Sequence, residues 1–341
     1  MSRELTQAEA LREALSEEMR ADGRVFIMGE DVGPMGGIFT VTKGMLEEFG
    51  EERIRDTPIS EAGFTGAGLG AAIVGGRPVV ELMFGDFAAI AMDQIANQIA
   101  KARYMSGGTV KAPLFVRLTI GARGSTAAQH SQSPHAWFMH TPGLYVAVPS
   151  TPADCKGLLK SAIRDENPVI FCEHKKLYFV AGEVPDGEHV IPLGMADIKR
   201  EGKHVTVVAI SIMVHKALAV ADRLAGEGIE LEVVDPRTLV PNLPLTPSET
   251  EGGGGGVPLD WDTIYQSVRK TGRLIVMDEG HFTGGVAAEI AARVGKECFD
   301  YLDAPIERVC ATDTPIPFSP PMEDFVIPQE NDLEEAVRRV L

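Results

Sequence analysis

The chain has 341 residues and is strongly acidic: 32 lysines and arginines against 49 aspartates and glutamates give a formal net charge of −17. Partners such as nucleic acid or an anionic membrane require a basic face, so this charge argues against both. Hydrophobic residues make up 44% and charged residues 24%, as in ordinary globular chains, and the length suits two domains. No apolar run approaches the roughly 20 residues of a membrane span.

The N-terminal segment and the cysteines indicate the compartment. Residues 1–6 carry an acid and no apolar signal core, unlike a transit peptide. The cysteines are far apart and form no CxxC motif, which favours buried thiols over disulfides or metal ligands. They are Cys155, Cys172, Cys298 and Cys310. We therefore expect a cytoplasmic, reducing compartment.

In chain order, the first half alternates helices with short apolar strands. A capping box formed by Thr6 and Glu9 opens an amphipathic helix, and a helix rich in small residues begins near Glu61. A long helix is predicted over residues 86–104. The predicted strands are residues 25–28, 78–83, 113–118, 144–148 and 169–172. This alternation predicts a mostly parallel sheet flanked by helices on both faces.

The second half repeats the alternation after a change in composition. Residues 182–194 are rich in glycine, proline and acids, which is typical of a domain linker. Strands are then predicted at 205–210, 231–234 and 274–277, with helices beginning near 213, 285 and 332. The sequence thus predicts an α/β fold with a first domain over residues 1–185 and a second, smaller α/β domain over residues 190–341.

One segment of the second domain differs from its surroundings. Between Asn242 and Pro258, prolines, threonines and a serine lead into five consecutive glycines. This is the composition of a flexible, solvated loop. We interpret residues 242–258 as an insertion, natural or engineered, with an interaction loop as the alternative.

Five motifs occur along the chain in a fixed order: DTPISE from Asp56, AAQHSQS from Ala127, KSAIRDENPVIF from Lys160, VVDPRTLVP from Val233 and YLDAPIERV from Tyr301. In this order they resemble the beta subunit of the thiamine-diphosphate-dependent first component of 2-oxoacid dehydrogenase complexes. The resemblance implies a pyrimidine-type thiamine-diphosphate-binding domain followed by a transketolase C-terminal-like domain. It also implies an enzyme that decarboxylates a 2-oxoacid and reductively acylates a lipoyl domain.

The resemblance assigns cofactor contacts to Glu61, Glu30 and Phe87. In the family, a buried glutamate hydrogen-bonds N1′ of the aminopyrimidine and so activates the cofactor, and Glu61 matches it. Phe87 matches the aromatic residue that stacks on this ring, and Glu30 matches an acid linked to the ring region. Without the family, Glu61 is a first-turn acid beside a Ser60 N-cap. Phe87 is then an ordinary core aromatic and Glu30 a solvated turn residue.

His130 lies at the position of the family's active-site histidine, within a polar loop. A histidine there can transfer protons or stabilise the charge of a bound 2-oxoacid. His135 and His140 are further candidates for the entrance of the site. Four other histidines are interpreted as structural or surface residues: His174, His204, His215 and His281.

The resemblance also implies metal ions and partner chains. A structural potassium ion would bind backbone carbonyls of Leu114, Ala162, Ile163, Asp165 and Asn167. The family's diphosphate and magnesium motif, GDG followed by Asn, belongs to the alpha chain, and this sequence contains no GDG. Thiamine diphosphate is therefore expected to be shared with an alpha subunit that holds magnesium, in a heterotetramer of two alpha and two beta chains. A lipoyl-bearing acyltransferase is the other expected partner.

The sequence leaves the substrate open. Pyruvate is favoured, while residues 193–203 and 315–321 resemble acetoin dehydrogenase members, and branched-chain 2-oxoacids come third. A mainly structural subunit that docks other components through its acidic surface is the alternative of a different class. Glu61 separates the two classes, because only a catalytic subunit requires an acid at this position.

Overall fold

The computed structural model describes residues 2–122, 124–239 and 259–341. The predicted insertion at 242–258 lies outside the described residues. The strands are β1 Ser2–Thr6, β2 Val25–Gly29, β3 Ile54–Asp56, β4 Arg77–Leu82, β5 Phe115–Ile120, β6 Tyr145–Ala147, β7 Val169–His174, β8 Ala181–Pro185, β9 Asp197–Arg200, β10 Val205–Ala209, β11 Leu231–Asp235, β12 Leu274–His281 and β13 Glu307–Ala311.

Helices alternate with these strands in both halves of the chain. They are α1 Gln7–Ala21, α2 Met45–Phe49, α3 Glu61–Ile73, α4 Ala100–Met105, α5 His135–Met139, α6 Pro152–Arg164, α7 Met213–Ala225, α8 Trp261–Thr271, α9 Val286–Glu297, α10 Pro320–Val326 and α11 Glu330–Val340. None of the helices in the described ranges is long and apolar enough to cross a membrane.

The first sheet has six strands in the order β3-β2-β4-β5-β7-β6, and every neighbouring pair is parallel. All residues of β4, β5 and β7 are buried, as expected for central strands covered on both faces. The predicted parallel sheet is confirmed. Since the strands share one direction, their carboxyl ends lie along a single edge of the sheet.

The second sheet has the order β13-β12-β10-β11-β9, with β9 antiparallel and the other pairs parallel. This confirms the smaller second α/β unit. A separate pair joins β1 to β8 in antiparallel register, with Ser2 opposite Pro185. Part of the segment with linker composition is therefore a strand that pairs with the start of the chain.

The capping box at the start of α1 forms as the sequence predicts. Thr6 Oγ1 accepts a hydrogen bond from the Glu9 backbone N–H at 3.3 Å, and the Glu9 carboxylate accepts one from the Thr6 N–H at 2.8 Å. All four cysteines are free thiols, and burial raises the pKa of Cys172 above its ordinary value and that of Cys310 to about 12. The prediction of buried thiols is confirmed, with Cys310 only partly buried.

The helix predicted over 86–104 is interrupted. A 3₁₀ turn spans Gly85–Ala89, a π-helical stretch spans Asp93–Ile99, and only Ala100–Met105 is α-helical. Helix α3 packs closely against the π-helical stretch, because a Cβ added at Gly66 would lie 2.8 Å from Gln94 Oε1. A π-helix has about one residue more per turn than an α-helix. The residue types of this segment are those of an ordinary helix, so the sequence pattern did not reveal the change. Such π-helical turns are frequent near functional sites.

Candidate active site

The four predicted site residues follow four adjacent strands of the first sheet. Glu30 comes directly after β2, and Glu61 begins the helix that follows β3. Phe87 lies just after β4, and His130 lies in the loop between β5 and α5. These strands are neighbours in the order β3-β2-β4-β5. The four residues therefore share the carboxyl edge of the sheet, where ligands bind in open parallel α/β folds.

Glu30 and Glu61 form a buried pair of carboxyl groups, with exposed fractions of 6% and 4%. Burial, followed by the negative charges of Glu61 and Asp31, raises the pKa of Glu30 above its ordinary value. Among the described residues, Glu30 Oε1 has no hydrogen-bond partner. An unpaired buried acceptor costs free energy, so a donor group of a bound ligand would stabilise the site.

The turn that carries Glu30 depends on a glycine. A Cβ added at Gly29 would lie 2.7 Å from the carbonyl oxygen of Glu81 on the neighbouring strand. The chain then turns through Asp31, whose φ of 56° lies in the left-handed region that few residues other than glycine adopt. Glu30 is thus held by a tight turn at the end of a central strand, not in a solvated loop.

Helix α3 places Glu61 in its first turn, but Ser60 does not cap it. Ser60 precedes the helix and its side chain makes no capping hydrogen bond. One face of α3 lies against the sheet, since a Cβ at Gly68 would lie 2.7 Å from Val80 Cγ2. The other face is open at the end of the helix, where Ile73 and Val74 are 46% and 85% exposed. Among the described residues, α3 therefore packs on the sheet and on the π-helical stretch, while its C-terminal end stays exposed.

His130 lies between two aromatic rings. Its imidazole contacts Phe87 edge-on at a centroid distance of 5.4 Å and Phe84 edge-on at 5.2 Å. All three side chains are half-buried. The structure thus brings His130 into contact with Phe87, and it adds Phe84, which the sequence did not single out.

Lys175 holds the backbone of this site from the end of β7. Its Nζ donates to the carbonyl oxygen of His130 at 2.6 Å and to that of Gly121 at 3.1 Å. The same Nζ lies 4.8 Å above the Phe84 ring and 3.9 Å from the Asp86 carboxylate. The sequence does contain a signal for Lys175. Charged residues follow the apolar strand β7, and the carboxyl end of β7 lies at the same edge of the sheet as the candidate site.

A line of aromatic contacts connects His130 to a buried ionic network. Phe84 contacts Phe39 at 6.3 Å, and Phe39 stacks on Tyr178 at 4.5 Å. The Tyr178 hydroxyl donates to Glu173 at 2.6 Å. The wall behind His130 is therefore fixed by packing and by a hydrogen bond from the core.

Arg117 is the centre of that network, on the central strand β5. Its guanidinium donates to Glu173 through Nε at 2.9 Å and also to Glu81. Burial raises the pKa of Glu81, assisted by the charge of Glu173 and opposed by Arg117. Two carboxylates thus share one buried cation beneath the candidate site.

His135 is buried and does not line an entrance. It is 1% exposed, and its Nε2 lies 3.0 Å from the Asp278 carboxylate of the second sheet. Burial alone would lower the pKa of His135, but the charge and hydrogen bond of Asp278 outweigh it, so the pKa lies above the ordinary value. His140, by contrast, is exposed. His174 is buried against Glu279, in agreement with a structural interpretation.

Two of the five carbonyl groups predicted to bind potassium accept hydrogen bonds from Arg77. Its guanidinium donates to the carbonyl oxygens of Ile163 at 2.8 Å and Asp165 at 3.0 Å. The Leu114 carbonyl accepts from the Val169 N–H at 3.0 Å, as part of the sheet. A positive charge therefore already contacts this segment. For these three residues, and for Ala162 and Asn167, potassium binding stays a prediction.

Two sequence-family descriptions cover most of the chain. The transketolase pyrimidine-binding domain matches residues 3–180, and the transketolase C-terminal domain matches residues 194–242 and 257–333. The gap in the second match falls within the predicted insertion. The order of the two matches is the order of the two sheets.

Named relatives align over nearly the full length. The beta subunit of an acetoin:2,6-dichlorophenolindophenol oxidoreductase from Cupriavidus necator is 46% identical, covering 100% of this chain and 98% of its own. A pyruvate dehydrogenase E1 component beta subunit from Rickettsia felis is 48% identical, covering 99% and 98%. A solved structure, "Split gene transketolase, inactive beta4 tetramer", covers 99% and 98% with a TM-score of 0.75 at 24% identity, which shows the fold alone. The chain belongs to the transketolase-like family that includes the beta subunits of pyruvate dehydrogenase E1 components and of acetoin oxidoreductases.

Proposed function

We propose that this chain is the beta subunit of a 2-oxoacid dehydrogenase first component. It decarboxylates a 2-oxoacid, with pyruvate favoured, and reductively acylates a lipoyl group on an acyltransferase partner. The observation that carries the proposal is the buried pair Glu30 and Glu61, with an unpaired carboxyl oxygen, at the carboxyl edge of the sheet. Full-length relatives named as pyruvate dehydrogenase beta subunits support this choice of reaction.

The residues present fit the aminopyrimidine half of thiamine diphosphate. A heterocycle with ring nitrogens and an amino group offers partners for buried carboxyl groups, and its flat face suits an aromatic side chain. When bound, thiamine diphosphate supplies the carbon nucleophile for cleavage next to a carbonyl group. Glu61 would hold a proton against the ring, Glu30 would accept from it, and Phe87 would pack on it.

The buried positions of Glu30 and Glu61 determine how they would meet the ring. Burial and the nearby charge of Glu61 raise the pKa of Glu30, and hydrogen bonds in a partly dry site are stronger than in water. Glu61, buried at the start of α3, would meet a ring nitrogen with little competition from water.

His130 would act on the substrate side of the site. As a neutral or protonated imidazole it can orient the carboxylate of a 2-oxoacid or exchange a proton with the reacting groups. The edge-to-face contacts with Phe84 and Phe87 restrict the orientation of its ring. We assign catalytic roles to Glu61 and His130 on this basis.

The proposal requires an alpha subunit. The sequence has no GDG motif for the diphosphate, so magnesium and the phosphate groups would be held by the alpha chain. The open end of α3, with its exposed Ile73 and Val74, offers an apolar surface for such a partner. The proposed assembly contains two alpha and two beta chains, as the family resemblance implies.

Acetoin cleavage is the second candidate. A relative named as the beta subunit of an acetoin oxidoreductase covers this chain completely at 46% identity. The two reactions share the cofactor half-site and differ in the group that is split from the acyl unit. Residues 193–203 and 315–321, which resemble acetoin members, are the sequence feature that favours this alternative.

Co-expression with the alpha subunit, followed by parallel assays on pyruvate, acetoin and branched-chain 2-oxoacids with a lipoylated acceptor, tests the proposal. We expect turnover of pyruvate, and a loss of roughly 100-fold or more in Glu61→Gln. Glu47→Gln, an exposed glutamate on α2, is the matched control. Activity on acetoin alone would select the alternative, and a Glu61→Gln enzyme within a few-fold of wild type would indicate a docking subunit.

A further inference from the structure

The loop that carries His130 is attached at both ends to one carboxylate of the second sheet. Glu279, near the end of β12, accepts hydrogen bonds from the Ala122 N–H at 2.9 Å and from Ser133 Oγ at 3.1 Å. Ala122 lies at the start of the loop between β5 and α5, and Ser133 lies at its end. A single side chain from the other half of the molecule thus joins the two ends of the loop.

Glu279 is a charged acceptor in a buried place. Burial alone would raise the pKa of Glu279, but His174, with Nε2 3.0 Å away, and the hydrogen bonds from the loop outweigh it and lower this pKa to about 2. Hydrogen bonds to an ionised acceptor are roughly twice as strong as those between neutral groups. The close approach requires Gly121, whose φ is 86° and whose added Cβ would lie 2.8 Å from Glu279 Oε1.

A second carboxylate of the same half holds the loop near its tip. Glu323, in α10, is 2% exposed and accepts from the Gly124 N–H at 3.0 Å and the Ser125 N–H at 2.6 Å. Ser125 and Ala127 have φ values of 63° and 62°, in the left-handed region that is unfavourable for residues other than glycine. Such a conformation persists only where surrounding contacts impose it.

We propose that Glu279 and Glu323 are positioning residues for His130, so that the second half of the chain sets the geometry of a loop in the first. Glu279 joins the loop ends, Glu323 holds the strained turn before His130, and Lys175 fixes the His130 carbonyl. The catalytic consequence rests on the proposed function of His130. Both carboxylates act through the loop, by its backbone N–H groups and the Ser133 hydroxyl.

Hydrogen exchange on the full chain tests the structural part without any assay of activity. In Glu279→Ala we expect exchange of the backbone amides of residues 121–133 to be at least tenfold faster, with β10 unchanged. Glu323→Gln, which keeps one carbonyl acceptor, should give a smaller acceleration near residues 124–127. Glu289→Gln, which removes an exposed carboxylate on α9, is the control. Unchanged exchange in the loop, or a uniform increase throughout the chain, would overturn the proposal.

A double-mutant cycle in the assembled enzyme tests the catalytic part. Glu279→Ala should lower kcat more than it changes KM, while the double variant with His130→Ala should be no slower than His130→Ala alone. Losses that multiply would show that Glu279 acts elsewhere and contradict the proposal. If His130→Ala by itself keeps full turnover, the proposed role of His130 fails, and the exchange measurement alone decides whether Glu279 holds the loop.

Discussion

Glu30 and Glu61 are close enough for the negative charge of Glu61 to raise the pKa of Glu30, although burial is the larger cause. The two carboxyl groups come from different loops, one after β2 and one at the start of α3. Folding therefore brings two acids together where neither is well solvated. This arrangement is unfavourable for the isolated chain, which is expected of a site built for a ligand.

Glu30→Gln should stabilise the isolated chain at neutral and alkaline pH. An acid whose pKa is raised in the folded state binds protons more tightly there than when unfolded, so its presence lowers stability as the pH rises above the ordinary value. The amide carries no charge and removes this penalty. We expect a higher melting temperature than wild type at pH 8.0 and a smaller difference at pH 5.0.

Thermal unfolding monitored by circular dichroism at both pH values measures this effect. Glu47→Gln, at an exposed position, should show no such pH dependence. A Glu30→Gln chain that is less stable than wild type at pH 8.0 would mean that Glu30 has a stabilising partner. That result would remove the argument for an unpaired acceptor at the site.

His130→Ala should lower turnover of the assembled enzyme by roughly 10²–10⁴-fold, the range for loss of a general acid or base. Thiamine diphosphate affinity should change by only a few-fold, because the predicted ring contacts are Glu61, Glu30 and Phe87. Calorimetric titration with the cofactor, paired with steady-state kinetics, separates the two effects.

His204→Ala is the matched histidine control, because His204 lies in the second half and accepts a hydrogen bond from the Glu230 N–H at 2.9 Å. It should keep normal turnover. A His130→Ala enzyme with normal turnover, or one that loses cofactor binding in proportion to activity, would contradict the role proposed for His130.

The sequence predicts the interior strands of both sheets, because buried parallel strands are short apolar runs that stand out from their surroundings. It does not predict the edge strands β3, β9 and β13. Since the strand order then brings the carboxyl ends together, the grouping of Glu61 with Glu30 and of His130 with Phe87 follows. The burial of His135 could not be predicted in this way. Its partner Asp278 is distant in sequence, and a carboxylate after an apolar strand resembles any turn acid.

The same limit applies to contacts between the two halves. Glu279 and Glu323 reach the His130 loop from the second half of the chain, and no local pattern marks either residue. The exposed end of α3 is a different case. Its small residues predict close packing, and within the described residues α3 contacts Val80 of the sheet and Gln94 of the π-helical stretch, while its C-terminal end stays exposed. Sequence alone does not reveal whether the partner surface belongs to the same chain.

Arg117→Met should destabilise the chain by about 3–5 kcal/mol, the usual cost of removing one partner from a buried ionic network. The variant leaves the Glu81 and Glu173 carboxyl groups without their cation. Because burial already raises the pKa of Glu81, the folded variant will bind a proton there that the unfolded chain releases. The loss of stability should therefore be larger at pH 8 than at pH 6.

Urea unfolding of Arg117→Met and wild type at the two pH values gives the comparison. Arg338→Met removes exposed ion pairs with Glu227 and Glu334, and it should change stability little at either pH, because solvent screens exposed ion pairs. An equal loss for Arg117→Met at pH 6 and pH 8 would show that packing, not charge, explains the effect. Whichever result is obtained, we expect Arg117→Met to lower turnover, because Tyr178 and Phe39 connect the Arg117 network to the wall behind His130.

Deletion of residues 243–256 should leave stability and turnover nearly unchanged. The transketolase C-terminal domain matches the residues on both sides of this segment and omits the segment itself, so the domain is complete without it. Its glycines, prolines and hydroxyl residues offer little apolar surface to bury. The cost of closing a loop also depends only weakly on its length.

The melting temperature of the isolated chain and the kcat of the assembled enzyme are the two measurements, and replacement of the segment by a scrambled sequence of equal length is the control. If the deletion abolishes assembly with the alpha subunit while the scrambled segment also fails, the residues form a specific interface, and their interpretation as an insertion without function is wrong.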